Sequence, residues 1–145
     1  MPSLAITAIA DGDVADVIAL WRACGLTRPW NDPAADIALA RRGPSSAILV
    51  GRDGGKIVAT VMVGHDGHRG WVYYVAVDPA SQGKGLGRTI MAAAEDWLRE
   101  AGVPKLQLLV RRENVTAGAF YQSLGYEEST SVMLAKWLDG RAATP

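Results

Sequence analysis

Hydrophobic and polar positions along this chain recur with two periods, and the change from one to the other marks most of its elements. Ser3 to Ile9 reads as a short strand, closed by the turn-formers Asp11, Gly12 and Asp13. Val14, Val17, Ile18 and Trp21 then fall at i, i+3, i+4 and i+7, one face of a helix. After the loop GLTRPWN, Asp32 followed by Pro33 supplies an N-cap and first helical residue, so a second, shorter helix runs through DIALARR. SAILVG and KIVATVMVG, joined by RDGG, predict a hairpin, and HDGHRG turns the chain again into WVYYVAV, giving three antiparallel strands. Ile90, Met91, Ala94, Trp97 and Leu98 mark a third helix that Gly102 and Pro104 end. KLQLLV is a further strand, Ala117, Phe120, Tyr121 and Leu124 form a fourth helix stopped by Gly125, and SVMLAKWL is a last strand, with room for one more at Tyr126 to Glu128. The order β α α β β β α β α β predicts an α/β (α+β) domain with a mixed, mostly antiparallel sheet and about four helices.

Composition bounds this picture without changing it. With 145 residues, 49% of them hydrophobic, and no repeat or linker, residues 1–145 read as a single domain with one core. Fifteen basic and fifteen acidic residues cancel, so no global field recruits nucleic acid or an anionic membrane, and any polyanion must be bound locally. No run has the length of a membrane span, the N-terminus lacks the pattern of an export signal, and the single cysteine, Cys24, fits a reducing compartment. These features together predict a cytoplasmic protein.

The chemistry concentrates in VDPASQGKGLGRT, Val77 to Thr89, between the strand WVYYVAV and the third helix. A Walker A loop requires Ser or Thr directly after its lysine, but Gly85 follows Lys84. A dinucleotide fingerprint requires a third glycine where Arg88 stands, and a parallel βαβ unit instead of a meander. What remains is a loop whose glycines 83, 85 and 87 let backbone N–H groups approach an anion, at the positive end of a helix and beside two cations. Such a loop cradles a phosphate.

Gln82-Gly83-Lys84-Gly85-Leu86-Gly87 resembles the Q/R-x-x-G-x-G/A motif of the GNAT acetyltransferases, and Asn114 with Phe120-Tyr121-Gln122-Ser123-Leu124-Gly125-Tyr126 is similar to that family's second signature. The element order fits across nearly the whole chain. More narrowly, LTRPWNDP and GHDGHRG resemble the bacterial YpeA group, relatives of RimI. The resemblance implies a bulge in the strand before the loop and a splayed strand pair in the sheet, acetyl-CoA as co-substrate, no metal, and a primary amine as acceptor, on a peptide N-terminus or a small molecule. It assigns backbone groups of Val75, Ala76 and Val77 to the pantetheine arm, with an amide near Val75 stabilising the oxyanion. Gln82, Gly83, Lys84, Gly85, Leu86, Gly87, Arg88 and Thr89 take the diphosphate.

Asn114 and Tyr121 lie two helical turns apart on one side of the fourth helix. Read by itself, Asn114 is as much an N-cap as a cofactor contact, and Tyr121 is a core tyrosine; the family likeness makes Tyr121 the general acid for the departing thiolate. Leu109 stands where RimI-type enzymes carry a glutamate base, leaving a water chain, Tyr73, His65, Asp66 or His68 for that duty. HDGH lacks the ligands of a metal site and reads as a solvated turn. Arg28, Trp30, Asn31 and Asp32, with Tyr73, fall where the family builds its acceptor wall; the alternative is that Trp30 covers the core and Asp32 only starts a helix. Two function classes follow: an acetyl-CoA-dependent N-acetyltransferase, or a non-catalytic acyl-CoA-binding module. The edge of the last strand leaves room for a homodimer.

Overall fold

The computed structural model describes residues 4–142. Their contacts fall into two compact units, one ending at Leu108 and the other beginning at Leu109.

The first unit holds β1 (Ala5–Ala8), α1 (Val14–Ala23), α2 (Pro33–Ala40), β2 (Ser46–Asp53), β3 (Lys56–His65), β4 (Gly70–Val77), α3 (Leu86–Glu100) and β5 (Leu106–Gln107). The five strands form one sheet in the order β1-β2-β3-β4-β5. Pairing is antiparallel from β1 to β4 and parallel between β4 and β5. Ser3, expected to open the first strand, lies outside the described residues.

Helices cover both faces because the strands are apolar on both. Val17, Leu20 and Trp21 of α1 and Ile37 and Ala40 of α2 share a core with Ile48, Val50, Ile57 and Ala76. On α3 the buried residues Leu86, Ile90, Met91, Ala94 and Leu98 form one stripe, which packs against β2, β3 and β4. The approach is close: a Cβ on Gly70 would stand 2.5 Å from Leu98 Cδ1, so β4 opens with the residue that lets α3 lie down on it. Burying side chains of this size contributes about 1.5–3 kcal/mol each.

The second unit contains α4 (Val115–Ser123), with Asn114 as its N-cap. Here the structure corrects three expectations. KLQLLV forms a strand only at Leu106–Gln107, and neither Tyr126 to Glu128 nor SVMLAKWL is a strand. A short apolar run is compatible with a strand, but a strand exists only where a neighbour completes its ladder. In this stretch Ser131 N–H donates to Ser129 Oγ, Arg141 N–H to Asp139 Oδ1, and the Arg141 guanidinium lies 3.7 Å over the Trp137 ring. Val132, Leu134 and Leu138 are exposed, and the strand edge expected to offer a dimer contact is not formed.

Candidate active site

The site begins with an irregularity in β4. Met62 of β3 pairs with Tyr73 and Thr60 pairs with Ala76, so Val61 alone stands opposite Tyr74 and Val75. This is a β-bulge, and Tyr74 sits in it with φ 51°, the only described residue other than glycine with a positive φ. A left-handed conformation at a bulky residue costs about 1–3 kcal/mol and persists only where its surroundings enforce it. The other edge of β4 is equally divided. It pairs with β5 at Gly70 and Trp71, and the ladder ends there, so Val75, Ala76 and Val77 lie beyond the splay.

Four side chains hold the bulge. The Tyr74 ring stacks on Trp21 of α1, with centroids 3.7 Å apart and planes within 7°. Trp21 Nε1 donates to Thr60 Oγ1 at 2.9 Å, and the Thr60 hydroxyl donates to the Tyr74 carbonyl at 3.0 Å. Thr60 is a fully buried polar residue whose donor and acceptor are both in use. The Tyr74 hydroxyl donates to Asp36 Oδ2 of α2 at 2.6 Å, the short length of a charge-assisted bond. Burial, then the Asp36 carboxylate and more distantly Asp32, push the Tyr74 phenol far above its ordinary value, so it stays protonated as the donor. None of this quartet was singled out from sequence except Trp21, as a core residue. The adjacent Tyr73 and Tyr74 give no signal of it, because a strand apolar on both faces takes an aromatic at either position.

From Val77 the chain passes directly into the glycine loop. Cys24 Sγ donates to the Val77 carbonyl at 3.2 Å, and Asp78 caps the turn at Pro79–Ser81 through Ala80 N–H while meeting Lys56 at 3.2 Å. Gly83 has φ 81° and Gly85 φ 79°; Gly85 is the N-cap of α3 and has no side chain to offer its first amides. Helix geometry leaves the N–H groups of Leu86, Gly87 and Arg88 without intrahelical acceptors. Leu86 itself is buried, so its side chain belongs to the core and only its amide to the loop. Thr89 departs from expectation: its N–H and its hydroxyl both donate to the Gly85 carbonyl at 3.1 Å, closing the first turn. Gln82, Lys84 and Arg88 are exposed. Backbone donors, the positive helix end and two cations make a donor set that fits the anionic end of a nucleotide-like molecule.

In the loop between α1 and α2, Asp32 caps α2: its Oδ1 accepts from Ala34 and Ala35 N–H at 3.0 and 3.2 Å, worth about 0.5–2 kcal/mol. Arg28 folds back on its own loop, donating to the carbonyls of Gly25 and Thr27, and Asn31 N–H closes a turn onto the Arg28 carbonyl. Trp30 is half-buried. Tyr73, 48% exposed, precedes the bulge. The HDGH turn is closed on itself: Asp66 Oδ1 accepts from the His68 and Arg69 amides and His65 Nδ1 from Gly67 N–H. Among the described residues no group of three His, Cys, Asp or Glu is placed to hold a metal, and no helix is long and apolar enough to cross a membrane.

In the second unit, Asn114 Oδ1 accepts from Ala117 N–H at 3.1 Å, so the cap is real, and it uses only the amide oxygen. Tyr121 lies edge-on to Phe120 and Tyr126, with centroids 5.0 and 6.1 Å away, and burial raises its phenol above the ordinary value. Leu109, in place of a glutamate, is half exposed.

Comparison with known proteins converges on one family. Residues 15–126 match the model of the Acetyltransferase (GNAT) family. An acetyltransferase of Yersinia enterocolitica is 39% identical over 133 residues, covering 92% of this chain and 94% of the relative, and one from Yersinia pseudotuberculosis is 40% identical over 126 residues, covering 87% and 89%. The fold resembles that of AAC(6')-Iy bound to a CoA-containing bisubstrate analogue, with TM-score 0.80 at 16% identity over 93% of this chain and 98% of that one. It also resembles the ribosomal-protein-S18-alanine N-acetyltransferase of Escherichia coli, with TM-score 0.73 at 25% identity over 88% and 80%. This chain, with its bulged β4 running into a glycine-capped helix, belongs to the GNAT family and is an N-acetyltransferase.

Proposed function

We propose that the protein moves the acetyl group of acetyl-CoA onto a primary amine, of a peptide N-terminus or a small molecule, by direct attack of the amine on the thioester. One observation carries the reading. β4 loses its β5 neighbour after Trp71, bulges at Tyr74–Val75, and leads through the loop to the open amides of α3. A strand released from its ladder offers backbone N–H and C=O groups to an extended amide-bearing ligand. A helix start with glycine in place of a capping side chain offers donors to phosphate.

Bound acetyl-CoA supplies an activated acyl carbon. The Val75 amide is the donor we assign to the charge that develops on the carbonyl oxygen, a contribution of about 2.7–4 kcal/mol where such donors have been removed in other enzymes. Val77 and Ala76 align the pantetheine arm, and the amides of Gly83 to Arg88, with the Lys84 and Arg88 charges, hold the diphosphate. Tyr121 is the proton donor for the thiolate. Its raised phenol keeps the proton through neutral pH, as a general acid requires. Asn114 has its Nδ2 group free of the cap for a cofactor contact. Arg28, Trp30, Asn31, Asp32 and Tyr73 form the acceptor wall. The lone Cys24 fits a reducing, cytoplasmic setting. The fold likeness to the S18-alanine acetyltransferase makes a peptide α-amine the first acceptor to test.

The test is calorimetric titration with acetyl-CoA, followed by free-thiol release with N-terminal peptides and small amines. Acceptor-dependent release above the background rate supports the proposal. Binding without any acceptor-dependent release would leave only the donor half standing. In the same assay Tyr121→Phe lowers kcat about 10²- to 10⁴-fold at nearly unchanged acetyl-CoA KM where thiolate departure limits the rate. A full-rate Tyr121→Phe enzyme would return Tyr121 to the core.

A further inference from the structure

The bulge in β4 is held from α2, the helix that opens directly after the proposed acceptor loop. The polar connection is one hydrogen bond from the Tyr74 hydroxyl to Asp36 Oδ2 at 2.6 Å. Tyr74 adopts φ 51°, which an L-residue with a large side chain leaves unless it is restrained. Trp21 fixes the plane of the ring, Thr60 fixes the carbonyl, and Asp36 fixes the far end of the side chain. The residue after Tyr74 is Val75, whose amide plane turns with Tyr74 ψ because the peptide unit is rigid. A change at the hydroxyl is therefore transmitted through a clamped ring to the strand backbone.

We propose that Asp36 and Tyr74 form a positioning pair that sets the direction of the Val75 amide and ties the acceptor-side helix to the donor-side strand. Both act through the Val75 amide. This inference rests on the acetyl-transfer reading only in that Val75 N–H is the oxyanion donor. Misplacement of such a donor by a fraction of its hydrogen-bond length costs most in the transition state, where the oxygen carries charge, so the pair affects turnover far more than cofactor affinity.

The pair is separable from the core. Tyr74→Phe keeps the ring on Trp21 and removes only the hydroxyl. Asp36→Asn keeps an oxygen acceptor for that hydroxyl, and Asp36→Ala removes it. Expected are a fall in kcat of about 10- to 100-fold for Tyr74→Phe and for Asp36→Ala, with acetyl-CoA Kd within about twofold of wild type. Asp36→Asn recovers activity to within about threefold, and the double variant Tyr74→Phe/Asp36→Ala is no slower than either single one, since both break the same bond. Amide NMR supplies a readout independent of catalysis. The Val75 N–H shift and the Tyr74 HN–Hα coupling move in Tyr74→Phe and Asp36→Ala and stay in place in Asp36→Asn. A full-rate Tyr74→Phe, an Asp36→Asn as slow as Asp36→Ala, or an unmoved Val75 amide would each overturn the pair. If wild-type protein releases no CoA with any amine, the acetyl-transfer reading falls, and the NMR arm still decides whether the bond governs the bulge.

Discussion

The two turns that flank β4 use the same residue types to opposite ends. His65-Asp66-Gly67-His68-Arg69 enters the strand and Gln82-Gly83-Lys84-Gly85 follows it; each has glycine at positive φ and charges at its tip. In the first, the turn consumes its own polar groups, with Asp66 taking two amides and His65 a third. In the second, the N-cap position is a glycine, so the amides heading α3 receive no side-chain acceptor from it. Glycine with charge is therefore not a signal for an anion site. The signal is a set of backbone donors that the fold itself does not consume.

The comparison breaks most readily at Gly85. Gly85→Val puts a β-branched residue at φ 79° and a side chain among the α3 amides, and acetyl-CoA affinity should fall at least about tenfold. Calorimetry on the folded variant checks it, and unchanged affinity would remove the phosphate role from the loop. Gly67→Ala is the matching change in the entering turn. Its Cβ meets nothing within 4 Å, so only the φ of 86° is strained; stability to urea should drop by about 1–2 kcal/mol while acetyl-CoA affinity stays the same. Lys84→Ala sharpens the contrast between backbone and charge. An exposed cation adds field without shape, so affinity should fall about two- to fivefold, and less at high salt.

The smallest effect concerns Asp66. The Arg69 amide, and next the His68 amide, hold its carboxyl below the ordinary carboxylate range. Its contribution to stability is therefore complete above the unfolded value near 3.9 and is lost as pH falls through the lower folded value. Thermal melts between pH 7 and pH 3 should show Asp66→Asn losing part of the wild-type decline at the acid end. Acetyl-CoA affinity at neutral pH should not move. If it does, the entering turn is part of the site and the contrast fails.

Some of this was open to reading from the residues. Val14, Val17, Ile18 and Trp21 announced α1, Asp32-Pro33 announced the start of α2, and Gln82 to Gly87 announced the anion loop, because each depends on a local period or a local backbone need. The errors lie where locality ends. SVMLAKWL is a short apolar run of strand length and forms no strand, since an apolar run does not specify a partner. Thr89 looked like one more loop donor, yet its amide and hydroxyl close the first turn of α3. Tyr74 and Asp36, 38 residues apart, carry no shared motif, and their bond became visible only once α2 lay across the sheet.

The sequence by itself determined the element order through Leu108, the glycines at the head of α3, and the residue types that mark a GNAT acetyltransferase; these are properties of short stretches, set by side-chain period and backbone freedom. The family likeness implied a splayed, bulged strand before the loop; the tertiary structure decided that the bulge falls at Tyr74 with φ 51°, that β5 leaves β4 after Trp71, and that Trp21, Thr60 and Asp36 keep it there. A bulky residue takes a left-handed conformation against its own preference, so no local rule can announce it. It is stable only as the sum of contacts from α1, α2 and β3 that meet when the chain is folded.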